Sequence, residues 1–296
     1  MKPFDRSTPI LGLCCLILVL AGCTSMPKSI TVMTTGDAYP ADTILSAQSG
    51  EPVTFEALLE DLAGVQVIYV GETHTNAAHH QIQARIIEAL HERHADLAVG
   101  MEMFDHRYDP VLEQWRTGAL DRAAFIEKTH WYVRQAGWGF NFDLYAPIFE
   151  TLQSRRIRLV GLNVPFWIPP KISASGIANL LPDERRLIAQ RIDTSNAAHR
   201  RYVESVFNEN PHHGLKSFDF FYEAQCAWED TMAASIVRKR GDAPMVVVIG
   251  NGHIQYKYGV PDRAHDRRPA PFRTVYLASV GTQVDLGVAD YIWVTP

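Results

Sequence analysis

Cysteine is scarce in this sequence, with four in 296 residues. Cys14 and Cys15 lie inside an apolar N-terminal run and Cys23 ends it, so only Cys226 belongs to the body of the chain. That body has no partner for an internal disulfide and must be held by its core. Basic charge is not in surplus either: 28 Lys and Arg against 33 Asp and Glu leave a net charge of −5. No basic stripe stands out, so nucleic acid is not an expected partner. Beyond the N-terminal run no apolar stretch reaches the roughly eighteen residues that a membrane-spanning helix needs. Repeats and low-complexity tracts are absent. There is no Gly-x-Ser-x-Gly turn, and Cys226 falls within a stretch that reads as a long helix, so neither a serine nor a cysteine nucleophile is expected. What remains after the N-terminal segment is about 270 residues, enough for one large domain with its own core.

The N-terminus has the layout of an export signal. Lys2 and Arg6 give a positive start, and Ile10 to Leu20 form an apolar segment too short to span a bilayer about 30 Å thick as a helix. It ends in Leu20-Ala21-Gly22-Cys23, where small residues admit a peptidase and the thiol can carry a thioether-linked lipid. This pattern resembles the bacterial lipobox, which predicts a signal peptide over residues 1–22 and lipidation at Cys23. Several acyl chains on one residue anchor far better than one, each buried CH₂ contributing about 0.8 kcal/mol. In Gram-negative lipoproteins an Asp after the cysteine acts as an inner-membrane retention signal. Thr24 stands there instead, so the expected location is the cell envelope, at the outer membrane facing the periplasm. Residues 23–40, small and polar with prolines towards both ends, read as a tether, and residues 41–296 as the domain.

Within the domain, strand and helix patterns alternate. A short strand or hairpin is expected around Asp42–Val53 and a short helix over Phe55–Leu62. Continuous apolar runs at Val65–Val70, Leu97–Met101, Ile157–Leu162, Met245–Ile249 and Thr274–Val280 fit buried parallel strands, with Ile292–Val294 as an edge strand. Helices are expected over Ala77–Arg93, Pro110–Arg116, Arg122–Lys128, Tyr145–Arg155, Asp183–Ile192, Ala197–Asn208 and Phe218–Arg240. The fold class is therefore α/β: an open, mainly parallel sheet with helices on both faces and helical insertions. In such folds ligands sit outside the carboxyl ends of the strands.

Chemistry-bearing residues follow those strands. Val65–Val70 runs into Gly71-Glu72-Thr73-His74, Leu97–Met101 into Glu102, Ile157–Leu162 into Asn163, and Met245–Ile249 into Gly250-Asn251-Gly252-His253. Any one of them alone reads as a capping acid or a structural histidine. Four ionisable groups at three equivalent strand ends point to one crevice, and Gly71, Gly250 and Gly252 would permit sharp turns and close approach of a ligand to the backbone.

The stretches GETHTNAAHHQIQ (71–83), GMEMFDH (100–106), QCAWEDTMA (225–233) and GNGHIQYKYGVP (250–261) together resemble the ChaN-type haem-binding lipoproteins, part of a wider group with the erythromycin esterases and the Tiki/TraB proteins. The resemblance spans roughly residues 40–290. It implies a haem-binding domain linked to iron acquisition or storage. It also implies that Glu72, His74, Glu102 and His253 match positions shared across the group, where they serve hydrolytic relatives as acid/base groups or metal ligands.

Haem needs an apolar slot, an axial ligand, and donors for its propionates. Aromatic surface is offered by residues 130–145 (Trp131, Tyr132, Trp138, Phe140, Phe142 and Tyr145) and by residues 212–222, with Gly137 and Gly139 suggesting a ligand-facing flap. His74, His253 and Tyr145 are the leading haem-pocket candidates. His79, Tyr108, Tyr132 and Tyr256 are alternatives, while His80, His91 and His94 fit a solvated stripe on their helix. Two readings stay open: a haem-carrying envelope lipoprotein, in which haem at the crevice mouth bridges two protomers, and a hydrolase. In the hydrolase, Glu72, His74, Glu102 and His253 are catalytic, or His74, His253 and a carboxylate hold Zn or Mn. A third and plainer reading is a surface scaffold with a vestigial crevice.

Overall fold

A computed structural model describes residues 29–31, 39–209 and 217–296. The expected signal peptide and Cys23 lie outside these residues. Part of the expected tether is paired: β1 (Ser29–Thr31) runs antiparallel to a later strand at Gln283–Asp285. The hairpin expected near residue 50 forms from β2 (Ile44–Ser46) and β3 (Pro52–Val53). After α1 (Phe55–Ala63) the alternation begins, with β4 (Val67–Val70), α2 (Ala77–Arg93) and β5 (Ala98–Asp105). The helices α3 (Asp109–Arg116), α4 (Arg122–Lys128) and α5 (Phe142–Ser154) lead to β6 (Arg158–Asn163). An all-helical stretch follows: α6 (Ile168–Ser175), α7 (Pro182–Arg185), α8 (Ala197–Glu209) and α9 (Phe218–Lys239). The chain closes with β7 (Met245–Val248), α10 (Val260–Arg267), β8 (Phe272–Ser279), β9 (Gln283–Asp285) and β10 (Tyr291–Thr295).

Eight strands make one sheet in the order β3-β2-β10-β8-β4-β7-β5-β6. From β10 to β6 every neighbour is parallel, and the sheet's antiparallel pairings are those of β2, with β10 on one side and β3 on the other. The α/β class with a mainly parallel sheet is what the alternating pattern predicts. Side chains alternate across the sheet with the period of two that a strand imposes. Ile68 and Val70 join Leu62, Ile86 and Phe149 on the face covered by α1, α2 and α5. Val67 and Tyr69 join Met232, Ile236 and Val260 on the face covered by α9 and α10. Burial on both faces explains why these strands read as unbroken apolar runs.

The structure corrects three sequence expectations. The Ile292–Val294 strand is not an edge: β10 lies between β8 and β2, and Ile292, Trp293 and Val294 are all buried. The hairpin covers what would otherwise be an open edge, as parallel sheets require. The helix expected over Asp183–Ile192 is cut to α7, because the backbone beyond it is claimed by side chains. Arg185 donates to the carbonyls of Ala189 and Gln190, while the Ala189 N–H donates to Thr231 and the Asp193 N–H to Asp230. The helix expected from Tyr145 begins earlier, at Phe142, where Asn141 caps it by accepting from the Asp143 N–H.

β10 supplies a direct check of the corrected topology. Trp293 packs on Phe55 with ring centroids 5.6 Å apart, and Arg85 lies over the Phe55 ring at 3.9 Å. Trp293→Ala is expected to cost about 3–5 kcal/mol in urea unfolding, the range for a fully buried tryptophan. An exposed edge position would lose no more than about 0.5 kcal/mol.

Candidate functional site

The three strands whose ends carry the ionisable residues, β4, β7 and β5, are consecutive in the centre of the sheet. The groups they deliver meet as the strand-end argument expects. Glu72 is almost fully buried, and its Oε1 accepts from His74 Nδ1 at 2.7 Å and from the Tyr145 hydroxyl at 2.8 Å. Its Oε2 lies 3.0 Å from His80 Nδ1, an N–H that also approaches Gln83 Oε1 at 3.1 Å and aligns with the amide oxygen better than with the carboxylate. Burial alone would raise the Glu72 carboxyl, but the hydrogen bonds from His74 and His80 override it and hold the group at about 2. In return, burial pulls His74 and His80 down, while their bonds to Glu72 outweigh it and place both above the ordinary histidine value.

A second cluster adjoins the first. Glu102 accepts from the Gly250 N–H at 2.7 Å and lies 3.3 Å from His253 Nε2. His253 Nδ1 lies 3.2 Å from Glu229 Oε1, so both ring nitrogens are held by carboxylates. Burial would lower the His253 imidazolium, but the charges of Glu102 and Glu229 and the bonds to them lift it to about 10. Glu229 is itself a hub: its Oε2 is 3.1 Å from His199 Nε2 and 3.3 Å from Arg263 Nε, and Gln225 donates to its Oε1 at 2.8 Å. The Oε2 contacts are charge contacts rather than aligned hydrogen bonds. Arg263 also pairs with Asp230 at 2.6 Å. Gly250 holds the clusters together: a Cβ there would come 2.9 Å from His74 Cε1 and 3.5 Å from Glu102 Oε2. Asn163 supports the floor by donating to the Glu102 carbonyl at 2.7 Å.

Of these groups Glu72, His74, Gly250 and His253 border a cavity of about 830 Å³, which Tyr202, Phe221, Gln225 and Tyr276 also line. His74 is its accessible imidazole, with a side chain 31% exposed against 10% for His253. His74 Nε2 has no hydrogen-bond partner among the described residues. The loop after α4 forms an aromatic wall against it: Trp138 and Phe140 pack on the His74 ring at 4.7 and 5.0 Å. The turn depends on its glycines, since a Cβ on Gly137 would strike the His130 carbonyl oxygen at 1.9 Å and Gly139 has φ +84.

Glu72, His74, Glu102 and His253 thus form one crevice. Tyr145 sits behind it, fully buried, its hydroxyl donating to Glu72 and accepting from Trp138 Nε1 at 2.9 Å. The solvated stripe expected for His80 is overturned, since His79 and His80 are both fully buried. Burial lowers His79 to about 4, and its neutral ring accepts from the Thr73 N–H and meets Thr295. The metal set of His74, His253 and a carboxylate does not form: among the described residues no three His, Cys, Asp or Glu side chains are placed to hold an ion. Glu229, His199 and Arg263 were not singled out from the sequence. The available signal was the acidic pair Glu229-Asp230 set among Ala227, Trp228, Met232 and Ala233 in the middle of a long helix.

A family model for haem-binding uptake proteins of the Tiki superfamily, ChaN, matches residues 58–264. The chain belongs to this family. The matched span runs from α1 into α10 and takes in both ionic clusters of this ChaN-family site. The fold is similar to that of ChaN of Campylobacter jejuni, described for cofacial haem binding, with a TM-score of 0.68, 19% identity, and coverage of 84% of this chain and 95% of that one. A fainter likeness links the ChaN-family chain to an erythromycin esterase, a mutant of EreC in its open conformation, with a TM-score of 0.48, 14% identity, and coverage of 80% and 77%. A sequence comparison with curated proteins found no match.

The ionic clusters set a pH window for stability. His253 rises from 6.5 to about 10, so its stabilising contribution is complete below pH 6.5 and is lost as pH climbs through 10. Glu72 falls from 4.5 to about 2, so its contribution holds above pH 4.5 and is lost as pH drops through 2. The melting temperature is therefore expected to decline on both sides of a mildly acidic plateau. His253→Gln should flatten the alkaline decline and lower stability on the plateau by about 3–5 kcal/mol, because two buried carboxylates lose their shared cation.

Proposed function

We propose that this protein is a lipid-anchored envelope protein that binds haem at the crevice, with His74 as the iron ligand, and serves haem or iron acquisition or storage. One observation carries the reading: His74 has its Nδ1 fixed by the buried Glu72 carboxylate and its Nε2 unpaired on a side chain lining an apolar-walled cavity. A carboxylate on the far nitrogen of a ligating histidine fixes its tautomer and raises its basicity. His253 lacks this freedom, since carboxylates hold both of its nitrogens. The cavity volume lies within the range of sites for drug-sized and cofactor ligands. Tyr202, Phe221 and Tyr276 supply apolar surface, while Thr73 and Gln255 supply hydroxyl and amide donors suited to propionates. Haem held there would bring a ferric iron able to take one imidazole nitrogen. The ChaN membership supports the same ligand.

The detergent-solubilised full-length protein is expected to shift and sharpen the Soret band of added haemin. His74→Ala should abolish that shift while leaving the weaker association of iron-free protoporphyrin IX unchanged. Glu72→Gln should weaken haemin binding about tenfold, the low end of the cost of losing a ligand's outer partner. Ligation requires Nε2 without its proton, so haemin affinity should increase as pH rises through the elevated His74 pKa. If His74→Ala and the unsubstituted protein give the same haemin spectrum, the assignment of His74 falls.

Glu72 and His74 also have the geometry of a general base and its orienting acid, which makes hydrolysis the second reading. An ester turnover lost in Glu72→Gln would favour it. The anchor rests on the lipobox at Cys23. Cys23→Ser should leave an unprocessed precursor that no longer fractionates with outer membranes. Bridging of two protomers by haem should appear as a haemin-dependent dimer in sedimentation.

A further inference from the structure

Beside the main cavity lies a second hollow of about 340 Å³ between α6 and α9. Helix α9 contributes Phe221, Ala224, Gln225 and Trp228, the i, i+3, i+4, i+7 stripe of one helix face. Phe166, Pro169 and Pro170, at and just before the start of α6, form the opposite wall, with Ser173 one turn further on. No charged side chain lines the hollow among the described residues, and the Gln225 amide is already committed to Glu229. The two spaces share Phe221 and Gln225, so they adjoin. The walls of the hollow also reach both histidines of the crevice. Phe166 packs on Trp138 at 5.7 Å, and Trp138 packs on His74 at 4.7 Å. Trp228 packs edge-on against His253 at 5.2 Å.

We propose that this α6–α9 hollow is the part of the porphyrin site that takes the hydrocarbon edge of the macrocycle, the edge bearing methyl and vinyl groups. The proposal rests on the haem reading above and orients the ligand within it. A hollow without charge rejects the carboxylate edge, because a propionate there would be desolvated without a partner. The apolar edge has the opposite preference. The propionates therefore lie on the side of the main cavity that carries Thr73 and Gln255. Two kinds of contact then divide the binding: His74 discriminates for iron, and the hollow grips the ring whether or not iron is present.

The test uses the detergent-solubilised full-length protein, with haemin and iron-free protoporphyrin IX as probes and tryptophan quenching and the Soret band as readouts. Ser173→Trp fills the hollow from a half-buried position on α6, and Phe166→Ala removes one wall. Each is expected to weaken both probes by about tenfold, roughly the loss of two buried methylenes, with the haemin-to-protoporphyrin affinity ratio unchanged. His74→Ala should change that ratio. Thermal melts separate misfolding from lost contact, and if Ser173→Trp unfolds, Phe166→Ala decides alone. The proposal falls if a folded Ser173→Trp or Phe166→Ala variant binds protoporphyrin IX as tightly as the unsubstituted protein. In that outcome an intact haemin Soret shift leaves the haem reading standing. Absence of any iron-dependent shift in the unsubstituted protein overturns the haem reading itself.

Discussion

Glu72, Glu102 and Glu229 are carboxylates with almost no access to water, and each is solvated by imidazole, guanidinium, phenol or backbone N–H groups instead. An unpaired buried carboxylate costs far more than a domain can spare. The positions of the loop after β4, of α9 and of the segment after β7 are therefore tied to one another through these groups. The Asn251 side chain packs where a Gly71 Cβ would come within 2.1 Å of it, and the Gly250 N–H reaches the Glu102 carboxylate. The crevice is thus a product of charge neutralisation as much as of sheet topology.

That neutralisation also sorts the histidines. His253 and His80 are drawn into the network on both ring nitrogens, and His79 is held neutral by burial and by the Thr73 N–H. His74 alone in the crevice spends one nitrogen on a carboxylate and keeps the other for the cavity. A His253 lifted to about 10 is a cation near neutral pH, and a cation is neither an iron ligand nor a general base. Two residues that look equivalent in sequence, each following a glycine-flanked strand end, are made chemically unlike by the number of acids beside them.

The parallel strands and the crevice were legible because buried parallel strands are unbroken apolar runs and their carboxyl ends carried Glu72, Glu102 and His253, whereas the order of the strands was not read from them. Other features depended on distant partners. Glu229 meets His253 and Arg263 across separate helices, a pairing that helical periodicity cannot report. His80 occupies a polar register of α2, yet that face is turned to Glu72 rather than to water. The short α7 reflects capture of backbone groups by Thr231 and Asp230 from α9. The inward place of β10 depends on the N-terminal hairpin, whose strands are two and three residues long and carry little pattern of their own.

The site keeps most of its charge apart from its apolar surface. Most of the ionic groups are paired with one another. The surface offered above them is aromatic and amide, from Tyr202, Tyr276, Phe221 and Gln255, and it carries no lysine or arginine among the described residues. Such a surface suits a flat apolar molecule. In the proposed haem reading, choice comes from a group whose bonding is incomplete until the ligand arrives, the role given there to the His74 Nε2. Its orientation depends on the bond to Glu72, a carboxyl held down at about 2 despite its burial. The buried acid that organises the fold thereby also holds the His74 ring in position, with its Nε2 unpaired among the described residues.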